Sequence, residues 1–505
     1  VRMTAVLLPH EENGSGMDYG AFSFIAPTTR ILRSGEASDF FYPPLHDIKP
    51  FRFFVYNSLT QDVLPYNVSQ CIRDKIGEGN TCDWGLSTCT LRDVTEDQEQ
   101  YVRYRHNYNA DVVQADLFLR YPMEEGNKVT STKFATRTEN PHDADIFVVP
   151  YPHDSHCKCV AKRPAPGCSD YDGRMAPQLH HLFQDQLPYY NSSTEKRHLF
   201  LTGSNHVMAH EIIQNKTLKT SKGFAANCRY RHQQETYGTC GTIVTATHKA
   251  LPEYQPTYLQ RKLESQWWTT RTRQYSLVGF FGRQDEAKVE TVRNQLLDRI
   301  PKVFPSNFTI GGLPVIVGDS LSGARTLSNE LGILHAYQNS TFCLILPGDL
   351  PTGNRVFDTM QSGCIPVFLK FGVDPYGDPI WFKLRPDSDR IRIPKRVVYP
   401  FAKGIFWDTD NVGIDYESMV VQIDMKSCGL ECIAPTLEGI MANETELTRL
   451  RTNLRKHAAL FSYGLQDNAY KTFDAFGLLL WQLGYYASLV SDNEKKRSKM
   501  ATKTN

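Results

Sequence analysis

The sequence predicts an α/β protein made of two doubly wound halves. Three observations predict it. Short apolar runs recur along the chain. Longer stretches with one apolar face separate them. The runs are solidly apolar rather than alternating, as in parallel strands covered by helices on both faces. Composition permits this, with 505 residues, 41% hydrophobic and 22% charged. That is ordinary for a globular chain of about two or three domains. Lys and Arg total 56 against 55 Asp and Glu, a net charge of +1. Such a balance gives no electrostatic footprint for nucleic acid or an anionic membrane.

Residues 1–47 are rich in Gly, Ser and Pro without a sustained period, and read as a stem or flexible arm. Phe51 to Tyr56 is the first buried strand. Ile146 to Val149, His198 to Thr202 and Thr242 to Thr245 follow. A second series runs through Tyr275 to Phe281, Phe308 to Ile310, Val315 to Val317, Phe342 to Leu346 and Ile365 to Leu369. Glu286 to Ile300 carries Val289, Val292, Leu296, Leu297 and Ile300 on one helical face, and Leu327 to Gln338 is also helical. The polar stretch Glu253 to Trp268 lacks a strand and reads as a linker. The expected domains are therefore 48–260 and 261–445, with C-terminal helices over 446–490 packing back on the fold and a basic tail over 491–505. In doubly wound sheets ligands bind outside the carboxyl ends of the strands.

Seven Asn-X-Ser/Thr acceptors occur, at Asn13, Asn67, Asn191, Asn215, Asn307, Asn339 and Asn443. They fit a lumenal compartment. Ten of the 12 cysteines cluster, as Cys71, Cys82 and Cys89, then Cys157, Cys159 and Cys168, then Cys228 with Cys240 and Cys428 with Cys432. Local disulfides are expected of an oxidising lumen, and reduced buried thiols are the alternative. The chain starts at Val1 without a signal core, so either a membrane anchor lies outside this sequence or the protein has none. Ala475 to Val490 is interrupted by Gly477, Gln482 and Gly484 and falls short of the roughly 18 apolar residues of a spanning helix. It reads as a buried terminal helix.

The chemistry concentrates in Phe342 to Leu369, FCLILPGDLPTGNRVFDTMQSGCIPVFL. A strand stops at Pro347-Gly348, a tight loop follows, and Thr352 to Asn354 supply N-cap chemistry for a helix over Asn354 to Ser362. Gly363 can end it in a left-handed conformation. Backbone N–H groups of Gly348, Asp349, Thr352, Gly353 and Asn354 at a helix N-terminus form a site for a diphosphate. Arg355 adds a positive fork. Asp358 shares its face and can either accept ribose hydroxyls or pair with Arg355.

This segment resembles the signature of the exostosin-type glycosyltransferase family. The match runs through Phe342, Cys343, Leu344, Pro347, Gly348, Asp349, Arg355, Phe357, Asp358, Gly363, Cys364, Ile365, Pro366 and Val367. Thr138 to Pro150, Gly203 to His206, Phe281-Gly282-Arg283 with Arg293, and Tyr463 to Phe476 are similar to further family blocks. Thr352-Gly353 stands where the family has paired serines, and Val397-Val398 where it has a glutamate. Val373 to Arg396 is an insertion.

The resemblance implies a GT-B fold, two Rossmann-like domains facing across a cleft. It implies transfer from a nucleotide sugar, usually a UDP-sugar, with inversion. Arg283, Arg355 and the loop N–H groups would hold the leaving diphosphate, and Asp349 and Asp358 the nucleoside or the loop. The base would be His206, with Asp154 and His153 as the other candidates. No cofactor is expected and no metal is needed. The partners expected are a nucleotide sugar and a glycan or glycoprotein acceptor, with a homo- or heterodimer left open. The location expected is the Golgi lumen or membrane, with the endoplasmic reticulum as alternative. The competing reading is a catalytically silent carbohydrate-binding or scaffolding homologue, motivated by Thr352, Gly353 and Val398. Four Asp-X-Asp pairs, at Asp143/Asp145, Asp170/Asp172, Asp387/Asp389 and Asp408/Asp410, are too frequent to mark a metal site. His153, His156, Cys157 and Cys159 resemble a zinc cluster, but lumenal cysteines favour pairing instead.

Overall fold

A computed structural model of the chain describes residues 50–56, 81–83, 88–90, 114–115, 117–119, 121, 135–151, 176–201, 217–221, 242–244, 272–282, 292–319, 336–346, 354–370, 414–425, 429–461, 475–484 and 486–488. They form two compact units. The first takes the described residues of Phe41–Pro256 and Ser462–Asn505, and the second those of Thr257–Val398 and Ala402–Phe461. Residues 446–490 are thus divided. The stretch to Phe461 belongs with the second unit and the terminal helix with the first.

In the first unit the strands are β1 (Phe51–Val55), β2 (Thr81–Asp83), β3 (Thr88–Thr90), β4 (Ala135–Arg137), β5 (Ile146–Val149), β6 (His198–Phe200), β7 (Leu218–Ser221) and β8 (Thr242–Val244), with helix α1 (Ala176–His181). The main sheet has the order β4-β1-β5-β6-β7-β8 and is parallel throughout. β2 and β3 form a separate antiparallel pair that sets Cys82 opposite Cys89. Every residue of β5 is buried, because neighbours cover both its edges and both its faces. β4 and β7 are too short and polar for their strand character to show in the sequence. Each forms because a neighbouring apolar strand, β1 or β6, offers it an edge.

The Thr138 to Pro150 block aligns β1 and β5. Asn140 caps a short helical turn by accepting from His142 N at 3.2 Å. The Asp145 carboxylate accepts from Arg52 N at 2.8 Å, and Asp143 from Asn140 Nδ2 at 3.0 Å. Asp143 and Asp145 are therefore committed to the chain leading into β5, at the end of the sheet opposite its carboxyl edge.

One sheet face carries a ring ladder set by register. Phe54 opposes Phe147, and Phe147 opposes His198. The Phe147 and His198 rings stack at 4.7 Å and 8°. His198 Nδ1 lies 2.9 Å from Thr194 O and must carry the proton there. Its Nε2 therefore accepts from the Tyr56 hydroxyl at 2.9 Å. On the other face Phe53 meets Phe118 and Tyr121 edge-on. Phe118 in turn meets Phe476 at 4.9 Å. Residues 475–484 are helical and almost all buried. The apolar terminal stretch is thus core packing, and among the described residues no helix is long and apolar enough to cross a membrane.

The second unit contains β9 (Tyr275–Phe281), α2 (Val292–Val303), β10 (Thr309–Ile310), β11 (Leu313–Asp319), β12 (Ser340–Ile345), α3 (Asn354–Gln361), β13 (Ile365–Lys370), β14 (Val421–Asp424), α4 (Ile433–Ala442) and α5 (Glu444–Ala458). Its sheet has the order β10-β11-β9-β12-β13-β14. All pairings are parallel except β10 with β11, a departure from the purely parallel expectation. The pair Gly311-Gly312, both at positive φ, makes that reversal possible. α5 starts at Asn443, whose Oδ1 accepts from Glu446 N at 3.2 Å. It has Glu444 and Glu446 in its first turn and Arg455, Lys456 and His457 in its last, which suits the helix dipole.

Among the described residues each unit buries one neutral histidine. Burial pushes both His198 and His457 down to about 4. Their folded values lie below the unfolded value near 6.5. Protonation therefore favours the unfolded chain, and this stability is present above about pH 6.5 and lost as pH falls toward 4. Going from pH 7 to pH 5 should cost each unit about 2 kcal/mol. Thermal unfolding at the two pH values checks this, and an unchanged midpoint would refute it.

Candidate functional site

The site is built around α3. Its buried face is Val356, Phe357, Met360 and Gln361. Phe357 lies 5.3 Å from the Phe461 ring, and Gln361 Nε2 donates to Phe461 O at 2.8 Å. The C-terminal end is closed by two bonds. Gly363 N donates to Met360 O at 3.1 Å and Cys364 N to Thr359 O at 3.0 Å, with Gly363 at φ 71. This is the Schellman ending, so the expected glycine stop forms. β13 begins immediately after it.

A disulfide joins Cys343 in β12 to Cys364 before β13, with Cα atoms 5.7 Å apart. The sequence reading looked for bonds between near neighbours and missed this one, which spans 21 residues. Its signal was spatial. Parallel pairing sets Phe342 beside Ile365, so the cysteines that follow and precede these residues come together. Cys432 is also disulfide-bonded. Cys71, Cys157, Cys159, Cys168, Cys228, Cys240 and Cys428 lie outside the described residues.

The exposed face of α3 carries Arg355 and Asp358, both half-buried. No ion pair joins them among the described residues. The Arg355 guanidinium lies instead 5.4 Å from the ring centroid of Phe281, the last residue of β9. That places it at the carboxyl edge of the sheet where the crossovers diverge, since β9 has β11 on one side and β12 on the other. Gly279 makes room for this platform. A Cβ there would come within 2.8 Å of the Phe281 ring. Tyr337, fully buried, is a member the sequence reading missed. Burial pushes its phenol well above the ordinary range, while Arg355 lowers it and Asp358 raises it. All three thus share one electrostatic environment. Nothing in the sequence marks Tyr337 beyond a hydroxyl on the apolar face of a helix.

Asn354 is the first residue of α3. Arg283, Gly348, Asp349, Thr352 and Gly353 lie outside the described residues, as do His206, Asp154 and His153. The described chain reaches Gly282 after β9, Leu346 after β12, Tyr151 after β5 and Leu201 after β6. Each undescribed candidate follows the carboxyl end of a parallel strand. Among the described residues no group of three or more His, Cys, Asp or Glu side chains could hold a metal ion.

Chemically, α3 offers a fixed guanidinium on an aromatic floor, facing the end of a parallel sheet at its switch point. Such an arrangement suits an anionic ligand. Comparison with known proteins agrees in kind. The chain is 27% identical over 236 residues to the xyloglucan galactosyltransferase MUR3 of Arabidopsis thaliana, covering 43% of this chain and 36% of that protein. A probable xyloglucan galactosyltransferase of the same plant, GT13, is 38% identical over 65 residues, 13% of this chain and 14% of the relative. The xyloglucan-specific galacturonosyltransferase 1 of that plant is 30% identical over 106 residues, 20% of this chain and 13% of the relative. The matched stretches thus cover about a third or less of these relatives. The model of the exostosin GT47 domain matches residues 49–427, well over half of the sequence, and the chain therefore belongs to the exostosin GT47 family.

Proposed function

We propose that the protein is a lumenal glycosyltransferase that moves a sugar from a nucleotide sugar, a UDP-sugar first, onto a glycan acceptor with inversion. The observation that carries this reading is Arg355, held over Phe281 at the switch point of the second unit's sheet. An inverting transfer is one displacement. The acceptor oxygen bonds to the anomeric carbon, the bond from that carbon to the diphosphate breaks, and a base takes the acceptor proton. Arg355, with Arg283 and the N–H groups of the 348–354 segment, would bear the charge of the departing UDP. Asp358, on the same helix face as Arg355, would accept the nucleoside's hydroxyls. The base is assigned to His206, with Asp154 and His153 as the alternatives, each following a strand of the first unit. The relatives named above act on xyloglucan as galactosyl- or galacturonosyltransferases, so a galacto-configured donor and a polysaccharide acceptor are the first to try.

Calorimetric titration with UDP, followed by transfer assays over a panel of UDP-sugars and plant glycans, tests the reading. Binding of UDP and a product of inverted anomeric configuration are expected. Absence of UDP binding would sink the reading. UDP binding without transfer to any acceptor would leave the silent homologue.

A further inference from the structure

Four of the seven Asn-X-Ser/Thr acceptors lie among the described residues, and their settings differ. Addition of an N-linked glycan forms a bond from the asparagine Nδ2 to the first sugar's anomeric carbon. The donor is a lipid-diphosphate oligosaccharide. Its sugar–phosphate bond breaks, the amide loses one proton, and the lipid diphosphate leaves. The reaction needs the amide and the hydroxyl two residues on to be presented together on open chain.

Asn191, Ser192 and Ser193 are all exposed. Asn191 Oδ1 accepts from Ser193 N at 2.9 Å and from Ser193 Oγ at 2.6 Å. The hydroxyl is thus already brought onto the amide. Nδ2 has only a long contact, 3.5 Å, to Tyr189 O. A glycosylated amide keeps its oxygen and one N–H, so the turn survives modification. Asn443, Glu444 and Thr445 are likewise exposed. Asn443 caps α5 through Oδ1, the atom that modification leaves untouched. Asn307 sits at positive φ on a turn tip, where Phe308 N donates to Pro305 O at 3.0 Å. Both Asn307 and Thr309 are exposed.

Asn339 is different. Its two following residues open β12, the strand between β9 and β13. Ser340 is 0% exposed and Thr341 3%. The Asn339 carbonyl is taken by Gln274 N and Tyr275 N. The hydroxyl that the reaction requires is sealed inside the sheet.

We propose that Asn191, Asn307 and Asn443 are N-glycan acceptor sites and that Asn339 stays bare. The inference rests on the lumenal location proposed above. It adds which faces of each unit are covered. Asn307 and Asn443 flank one corner of the second unit, where the Gly311 turn lies against Met441 at the end of α4.

The test is to pass the full chain through a eukaryotic secretory pathway and release its glycans with a peptide N-glycosidase in heavy-oxygen water. Peptide mass spectrometry then reads each site. Heavy-oxygen aspartate is expected at positions 191, 307 and 443, with unchanged asparagine at 339. Asn191→Gln, Asn307→Gln and Asn443→Gln, made singly, should each remove one glycan from the intact mass. A tag at 339, or its absence from any one of the other three while other acceptors are occupied, would overturn the proposal. No tag at any of the seven acceptors would overturn it as well, because the chain has then met the transferase in the lumen and been refused.

Discussion

Arg355→Ala is expected to weaken UDP binding by about 1.5–3 kcal/mol, the loss of a charge-assisted hydrogen bond. That is roughly a 10- to 150-fold rise in the dissociation constant. Little of the effect should come from unfolding. Arg355 is half-buried on the outer face of α3, and its stacking on Phe281 contributes about 0.5–1 kcal/mol. Arg355→Lys should recover part of the affinity, because it restores the charge without the planar fork. Calorimetric titration of the three proteins with UDP, beside their melting midpoints, separates binding from folding. Equal affinity in wild type and Arg355→Ala would remove this residue from the leaving-group site.

Removing the Cys343–Cys364 bond by Cys343→Ala with Cys364→Ala is expected to cost about 3 kcal/mol, as for other loops of this length. The bond closes a loop of chain that contains α3, and both of its residues are 0% exposed. Freed of it, the two strands still pair and Phe357 still packs on Phe461. The second unit should therefore fold, less stably, with an α3 that opens more often. Denaturant unfolding and hydrogen exchange across β12, α3 and β13 measure this. A double variant as stable as the wild type, with unchanged exchange in α3, would show that the bond carries no constraint.

The sequence made long buried strands legible. Ile146–Val149 is a solid apolar run and Tyr275–Phe281 a mostly apolar one, and both suit the centre of a parallel sheet. The helix stop at Gly363 was legible for a local reason too, because only a residue without a side chain takes that φ cheaply. What was not legible depends on partners distant in sequence. Ala135–Arg137 and Leu218–Ser221 are strands because β1 and β6 offer them an edge. The disulfide follows from register, not from spacing. The candidate site was half legible. Arg355 and Asp358 stood out by charge at helical spacing, but their relation did not. Whether they pair depends on Phe281, 74 residues upstream of Arg355, and on the room left by Gly279. Tyr337 was hidden for the reason any core aromatic is hidden.

The terminal helix has a consequence for biogenesis. Phe476 packs on Phe118, and Tyr486 donates to Lys196 O at 3.2 Å, yet the chain between these partners includes the whole second unit. The half synthesised first therefore cannot seal its core while it emerges from the ribosome. It must wait, with an oily groove uncovered, until the chain has been read as far as Phe476 and Tyr486. Translation order and completion order are reversed, and a chaperone that shields this groove during synthesis has a defined place to act.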